Sequence, residues 1–420
     1  MKPYPVLSSP HRGPAACLLF SLGIGLVMFA TSARVRAFAV DQITRTDVRQ
    51  SRSDPLIKSA LDDFYNLDYD KAVAIFERLE KAHPDDPLAA THLLQAVVFR
   101  ELYRLNLLDT TLYSHDGFLT GKPANGDPAV RRRVDQLTAQ AVSLCDARLK
   151  QNANDVDALY LRGVARGLHS TYVALVDKSF IAALRGAVAA RRDHERVLQI
   201  DPGYADAKTI VGAHNYVVGS LPLPVKLLAG MAGLGGSKKK GLEYLEEAVK
   251  AGGESSSDAR VALALFLRRE GRYGEASDLV ATLVDQYPRN FLFSLEHCNL
   301  LKDGGKGAEA VSCYTKLLAG AKTGQYNGAK VAFASFGLAE SLRGQRNYEA
   351  ALSQYEFTSS VPDGQLSLRQ RASLAAGEMD DLLRRRGQAV REYEAVIAAD
   401  NTSAQADLAR RLLKEPYHLQ

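Results

Sequence analysis

The sequence contains no tryptophan and only four cysteines and four methionines in 420 residues. It also lacks a glycine-rich phosphate loop, a His-Glu-x-x-His helix and a Cys-x-x-Cys pair, so the motifs of nucleotide, zinc and redox chemistry are missing and no cofactor is expected. The formal charge is +5, but Lys2, Arg12, Arg34 and Arg36 all precede the first acidic residue, Asp41. Without them the balance is about +1, which gives no support to nucleic-acid binding. The run Arg131 to Arg133 is too short to change that and reads as a solvated helix face. The nine histidines are scattered; His194 falls at a core position and His214 within a helix, so both read as structural. Glu246-Glu247 and Asp380-Asp381 are adjacent pairs, and neighbours on a helix diverge by about 100 degrees, so neither converges on a substrate. A non-enzymatic protein is expected.

What is present is periodicity. Gly241, Ala276 and Ala310 are small residues 35 and then 34 apart. Four residues beyond each lies a larger apolar one (Leu245, Val280, Tyr314), and three further on another (Ala248, Leu283, Leu317). This order resembles the second helix of a tetratricopeptide repeat, where the small residue lets two antiparallel helices approach closely. The resemblance implies an all-α, right-handed α-solenoid. Apolar residues make up 46% and charged residues 24%, which excludes a disordered chain and suits a helical core built largely of Ala and Leu.

Ala15 to Thr31 is apolar, follows Lys2 and Arg12 and precedes small residues, the layout of a secretory signal cleaved after Ala33 or Ala37. Its length also fits an uncleaved membrane anchor. Residues 1–37 are therefore signal or anchor, and an exported chain, periplasmic or extracellular, is expected. Beyond them remain Cys145, Cys298 and Cys313, an odd number. Cys298 and Cys313 would lie on the two helices of one hairpin, where a bridge competes with the plainer reading of each as a small buried residue.

Residues 38–55 read as a flexible lead-in, 56–253 as irregular repeats with inserts, 254–402 as regular repeats and 403–420 as a capping helix and tail. The first unit carries Ala72 and Phe76 and closes at Pro84; the second is interrupted by Asp109 to Asp127, rich in Gly, Pro, Asn and Asp, before Ala141. The third carries Gly163 and Ala190 and is lengthened by Tyr172 to Leu184; the fourth carries Gly212 and Gly241. Ala276 follows in the fifth, Ala310 and Tyr314 in the sixth, Gly337, Ala351 and Tyr355 in the seventh, and Gly377, Ala389 and Tyr393 in the eighth. Ala404 to Lys414 closes the array. These small and aromatic positions are the expected repeat-packing residues, and about eight helical pairs result.

Within the fourth unit, Ser220 to Gly236 is apolar, holds two prolines and precedes Lys238 to Lys240. It either packs back on the solenoid as a lid or touches a membrane or partner through Leu221 to Leu234. Asn215 and Tyr216, then Leu221-Pro222, Gly233 to Gly236 and Gly241-Leu242 with Leu245 resemble the inclusion-body-clearance family of tetratricopeptide proteins, which includes the tetratricopeptide-repeat-domain 39 group. That likeness implies a non-enzymatic binding protein associated with lipid droplets, mitochondrial outer membranes or aggregate clearance; the secretory-type leader departs from that setting.

In such an array the first helix of each pair lines an inner groove. Its outward positions, Arg268, Asn299, Lys302, Ser341 and Asp381 in the regular half, are the candidate contacts. Their mixed charge favours a protein or peptide partner over a polyanion; a membrane-tethered protein organising lipid or envelope is the alternative. The assigned register predicts that Ala276→Leu overfills a close helix contact and costs roughly 1 to 3 kcal/mol. An unchanged thermal midpoint would contradict the register.

Overall fold

The computed structural model describes residues 54–113, 123–221, 223, 226, 235–362 and 364–419. The leader and lead-in at 1–53, the middle of the first insert and most of the Leu221 to Leu234 segment lie outside the described residues.

Seventeen helices and no strand occur among the described residues. They run α1 (Pro55–Tyr65), α2 (Tyr69–Ala82), α3 (Pro87–Arg104), α4 (Pro128–Gln151), α5 (Val156–Leu175), α6 (Phe180–Ile200), α7 (Ala205–Gly219) and α8 (Lys238–Ala251). The regular half follows as α9 (Ser256–Arg269), α10 (Tyr273–Gln286), α11 (Phe291–Asp303), α12 (Gly307–Lys322), α13 (Val331–Gly344), α14 (Tyr348–Ser360), α15 (Leu366–Leu382), α16 (Arg386–Ala399) and α17 (Ala404–Lys414). Consecutive helices pair into eight hairpins, closed by α17 against α16. Each second helix also meets the first helix of the next pair, and α3 touches α5, α7 touches α9, α11 touches α13 and α13 touches α15. The fold is an α-solenoid.

Local chemistry starts and stops these helices. Asp54, Asp86 and Asp127 each stand before a Pro that opens α1, α3 and α4, and each carboxylate accepts a first-turn backbone N–H at 2.7 to 2.9 Å. First helices end in a shared way. At the ends of α1, α3, α9, α11, α13 and α15 one residue turns left-handed: Leu67, Asn106, Gly271, Gly305, Arg346 and Arg384. The next residue's N–H then reaches back five positions, as Asp68 does to the Asp63 carbonyl at 2.8 Å and Asn347 to the Leu342 carbonyl at 3.0 Å. This hydrogen bond reverses the chain into the second helix.

Every small or aromatic packing position named from the sequence is buried. Glycine serves where helices come closest. A Cβ on Gly241 would stand 2.5 Å from the Tyr216 nitrogen, so α7 and α8 meet backbone to backbone. A Cβ on Gly377 would stand 2.5 Å from the Tyr393 ring. At Gly219 it would stand 2.4 Å from the Lys238 nitrogen, so the apolar excursion leaves and rejoins the array at one point.

The chain leaves helical geometry before the interruption at Asp109 to Asp127, since α3 stops at Arg104. Asn106 turns left-handed there, and Thr110–Tyr113 forms a single 3₁₀ turn.

The left-handed turns yield a prediction. Arg346 is exposed and pays the Cβ penalty that Gly271 and Gly305 avoid, so Arg346→Gly should stabilise the fold by about 0.5 to 1 kcal/mol in denaturant titration. A loss of stability would contradict the turn geometry.

Candidate partner-binding face

The candidate face is made by the first helices α9, α11, α13 and α15. Behind it stand tyrosines from the second helices. Tyr314, Tyr355 and Tyr393 are fully buried, and a buried hydroxyl needs an acceptor. Tyr314 donates to the Asn299 side-chain oxygen at 2.6 Å, Tyr393 to Asp381 at 2.9 Å and Tyr355 to Glu340. In each case the acceptor comes from the first helix of the same hairpin.

This corrects the expectation for four of the five groove candidates. Asn299 is buried as the Tyr314 acceptor. The Asp381 carboxylate is buried as well, bound by Tyr393, by Arg386 at 3.0 Å and by the Tyr417 N–H at 2.8 Å. Ser341 is buried and donates to the Gly337 carbonyl at 2.8 Å. Arg268, 6% exposed, forks onto Glu296 at 2.9 and 3.1 Å and pairs with Asp303. Burial works against the Arg268 charge, but Glu296 and Asp303 outweigh it and hold its pKa above the ordinary value. Burial pushes the Glu296 carboxyl up. Lys302 alone keeps a part-exposed side chain, paired with Asp303.

The face is also covered. The segment after α3 crosses it: Thr110 donates to Glu296 at 2.5 Å, and Arg269 donates to the Tyr113 carbonyl at 2.9 Å. Tyr103 donates to the Gly328 carbonyl at 2.6 Å, with the Lys330 ammonium 4.7 Å from its ring centre. The first hairpin docks beside it. Asn290 donates to the Tyr65 carbonyl at 2.6 Å, the Arg289 N–H to Asn66 at 3.0 Å and Asn327 to Asp68 at 2.9 Å. The Arg289 guanidinium lies 3.2 Å from Asp68, 3.6 Å from Asp62 and 3.7 Å from Asp63, and Tyr65 stacks on Tyr287 at 5.0 Å. At the far end Arg343 donates to the Tyr417 hydroxyl at 2.9 Å, so the C-terminal tail folds over α13 and α15.

Arg289, Asn290, Asn327, Tyr103, Thr110 and Tyr417 were not singled out in the sequence. Five sit in turns, inserts or the tail, and all pair with residues remote in the chain. The only available signal was a polar residue in a turn, which has no period.

The histidines at 194 and 214 and the three later cysteines sit in the helical interior or its hairpins. His194 is fully buried, its Nδ1 on the Ala190 carbonyl at 2.7 Å, and its ring fills the space that a Cβ on Gly163 would occupy. Burial lowers its pKa and lowers that of His214 to about 4. Cys298 and Cys313 form a disulfide between α11 and α12. The buried Cys145 thiol is pushed up to about 12 by burial, which keeps it protonated and unreactive. Among the described residues no helix is long and apolar enough to cross a membrane.

Comparison with known proteins agrees at the level of the repeat. Residues 236–291, from the approach to α8 to the start of α11, match the tetratricopeptide repeat family. No curated protein matches the sequence. Among solved structures, the chain is similar to PilF of Pseudomonas aeruginosa at 16% identity, over 62% of this chain and 99% of that one, with a TM-score of 0.39. It is similar to yeast Tom70 at 13% identity, over 88% and 90%, with a TM-score of 0.39. It is similar to YrrB, described as a tetratricopeptide protein with an unusual peptide-binding site, at 14% identity, over 64% and 98%, with a TM-score of 0.30.

The buried network separates two kinds of arginine-to-alanine result. Arg268→Ala strands the buried Glu296 without its counter-charge, while Asp303 keeps Lys302, and should cost about 3 to 5 kcal/mol. A solvated groove residue would change stability by no more than about 0.5 kcal/mol, and that result in a urea titration would overturn the placement.

Proposed function

We propose that this chain is an exported, non-catalytic tetratricopeptide scaffold that takes a protein or peptide segment on the face of its first helices. Tetratricopeptide proteins are generally non-enzymatic scaffolds that bind proteins or peptides. One observation carries the assignment to this face. It already holds a peptide-like stretch, Tyr103 to Tyr113, through a carbonyl taken by Arg269, a hydroxyl given to Glu296 and a ring beside Lys330. A partner segment with the same features would meet the same groups. The likeness of the Asn215 to Leu245 region to the inclusion-body-clearance family supports a binding role.

Export rests on the leader and gains support from the Cys298–Cys313 bridge, since disulfides persist in oxidising compartments. Mass spectrometry of the mature protein should find its N-terminus after Ala33 or Ala37. An intact Met1 contradicts cleavage.

The binding test uses a variant with a loosened strap, Tyr103→Ala with Thr110→Ala, and a fluorescent peptide of residues 103–113. The peptide should bind, and Arg269→Ala in the same background should weaken binding by roughly 10-fold, as expected for a charge-assisted hydrogen bond. No binding, or binding indifferent to Arg269, removes the face from consideration.

A further inference from the structure

Beyond α17 the chain turns extended at Glu415, and Pro416, which has no N–H to give, keeps the helix from resuming. Tyr417 then lies back on α13 and α15, at the far end of the first-helix face. Its N–H donates to the Asp381 carboxylate at 2.8 Å, and its hydroxyl accepts from the Arg343 guanidinium at 2.9 Å. The same guanidinium covers its ring, with the central carbon 5.4 Å from the ring centre. Backbone, ring and hydroxyl of one residue are thus each met by a charged side chain. Its neighbours Glu415, Pro416, His418 and Leu419 are exposed.

The groups that meet Tyr417 are held in place by others. The Asp381 side chain is 1% exposed and keeps the Tyr393 hydroxyl at 2.9 Å and Arg386 at 3.0 Å. Arg343 is paired with Glu378 at 2.7 Å. Arg386 also donates to the Leu412 and Leu413 carbonyls at 2.8 and 2.7 Å, which fastens the end of α17 ahead of the tail. When Tyr417 leaves, Asp381, Arg343 and α17 therefore keep their anchors. What remains is a preformed site with a carboxylate acceptor and a guanidinium face free for another segment.

We propose that this is a tyrosine-recognition subsite, filled by Tyr417 of the same chain, that takes an extended segment of a partner protein bearing an unphosphorylated tyrosine. The inference rests on the binding role proposed for the first-helix face and adds a second subsite with its own ligand chemistry. The strap and the tail cover different parts of that face: α9 and α11 for Thr110 and Tyr113, α13 and α15 for Tyr417. An unmodified phenol fits because the Arg343 charge is already shared. Glu378 pairs with it and Glu340 bears on it, so a phosphate in place of the hydroxyl would face both carboxylates.

The probe is a synthetic peptide of residues 414–420, and the readout is broadening of its tyrosine ring proton lines, which registers even weak binding. The chain shortened to end at Glu415 should broaden them. The intact chain should bind the peptide more weakly by roughly 10-fold or more, because its own tail holds the site. Tyr417→Phe in the peptide removes the acceptor of Arg343 and should weaken binding roughly 10-fold, and N-methylation of that tyrosine, which removes the N–H given to Asp381, should do the same. Both changes are made in the peptide and leave the fold untouched. Phosphorylation of the peptide tyrosine should weaken binding as well. No broadening with the shortened chain, equal binding to both chains, indifference to the peptide changes, or tighter binding of the phosphopeptide each overturns the proposal.

Should the shortened chain not fold, Tyr417→Ala in the intact chain opens the site with the anchors of α17 in place and meets the same tests. Self-association of the intact chain that the peptide reverses would give the site to a second copy and overturn the partner assignment. The 103–113 peptide reports separately. Its failure while the tail peptide binds removes the strap site alone, and the reverse result removes the tyrosine subsite alone.

Discussion

A hairpin of two helices has two sides to cover, and only its neighbours can cover them. Stacking therefore sets where small, aromatic and polar residues stand. Alanine and glycine at Ala276, Ala310, Gly241 and Gly377 bring helices close, and Tyr314, Tyr355 and Tyr393 fill the space behind them. Each tyrosine brings a hydroxyl into the interior, and each hydroxyl takes Asn299, Glu340 or Asp381 from the facing helix. The packing rule therefore decides which polar residues remain for a partner. At the ends of the described array the chain supplies cover of its own: α17 and Tyr417 at one end, and the first hairpin's contact with Tyr287, Arg289 and Asn290 at the other.

The sequence is legible where interactions are local or periodic. The spacing of Gly241, Ala276 and Ala310 gives the register of the second helices, and Ala404 to Lys414 gives the closing helix. What it hides is of two kinds. Asn299, Ser341 and Asp381 look solvated because a polar residue on a helix is usually so, yet a buried tyrosine four residues past a small one calls for an acceptor on the facing helix. Arg268 is buried because Glu296 and Asp303 converge on it from a different helix, and no spacing within α9 announces that. The contacts of Arg289 with Asp68 and of Tyr103 with Gly328 join residues more than 200 positions apart, beyond the reach of any local pattern.

Under the proposed function, the consequence is competition. A ligand for the first-helix face must displace Tyr103 to Tyr113 or bind beside it, so its apparent affinity is reduced by the fraction of molecules that are closed. On that proposal the occupancy of the face is set by the balance between strap and partner, and anything that loosens the strap raises affinity without touching the ligand. The disulfide ties α11, on that face, to α12 behind it.

The covered face depends on the first hairpin being docked through Arg289. A double-mutant cycle in urea with Arg289→Ala and Asp68→Ala measures that contact directly. A coupling energy above about 0.5 kcal/mol is predicted, since the two groups meet only when the array closes on itself. Additive effects within that margin would mean that the first hairpin stands apart from the later repeats, and the covered face would have to be given up.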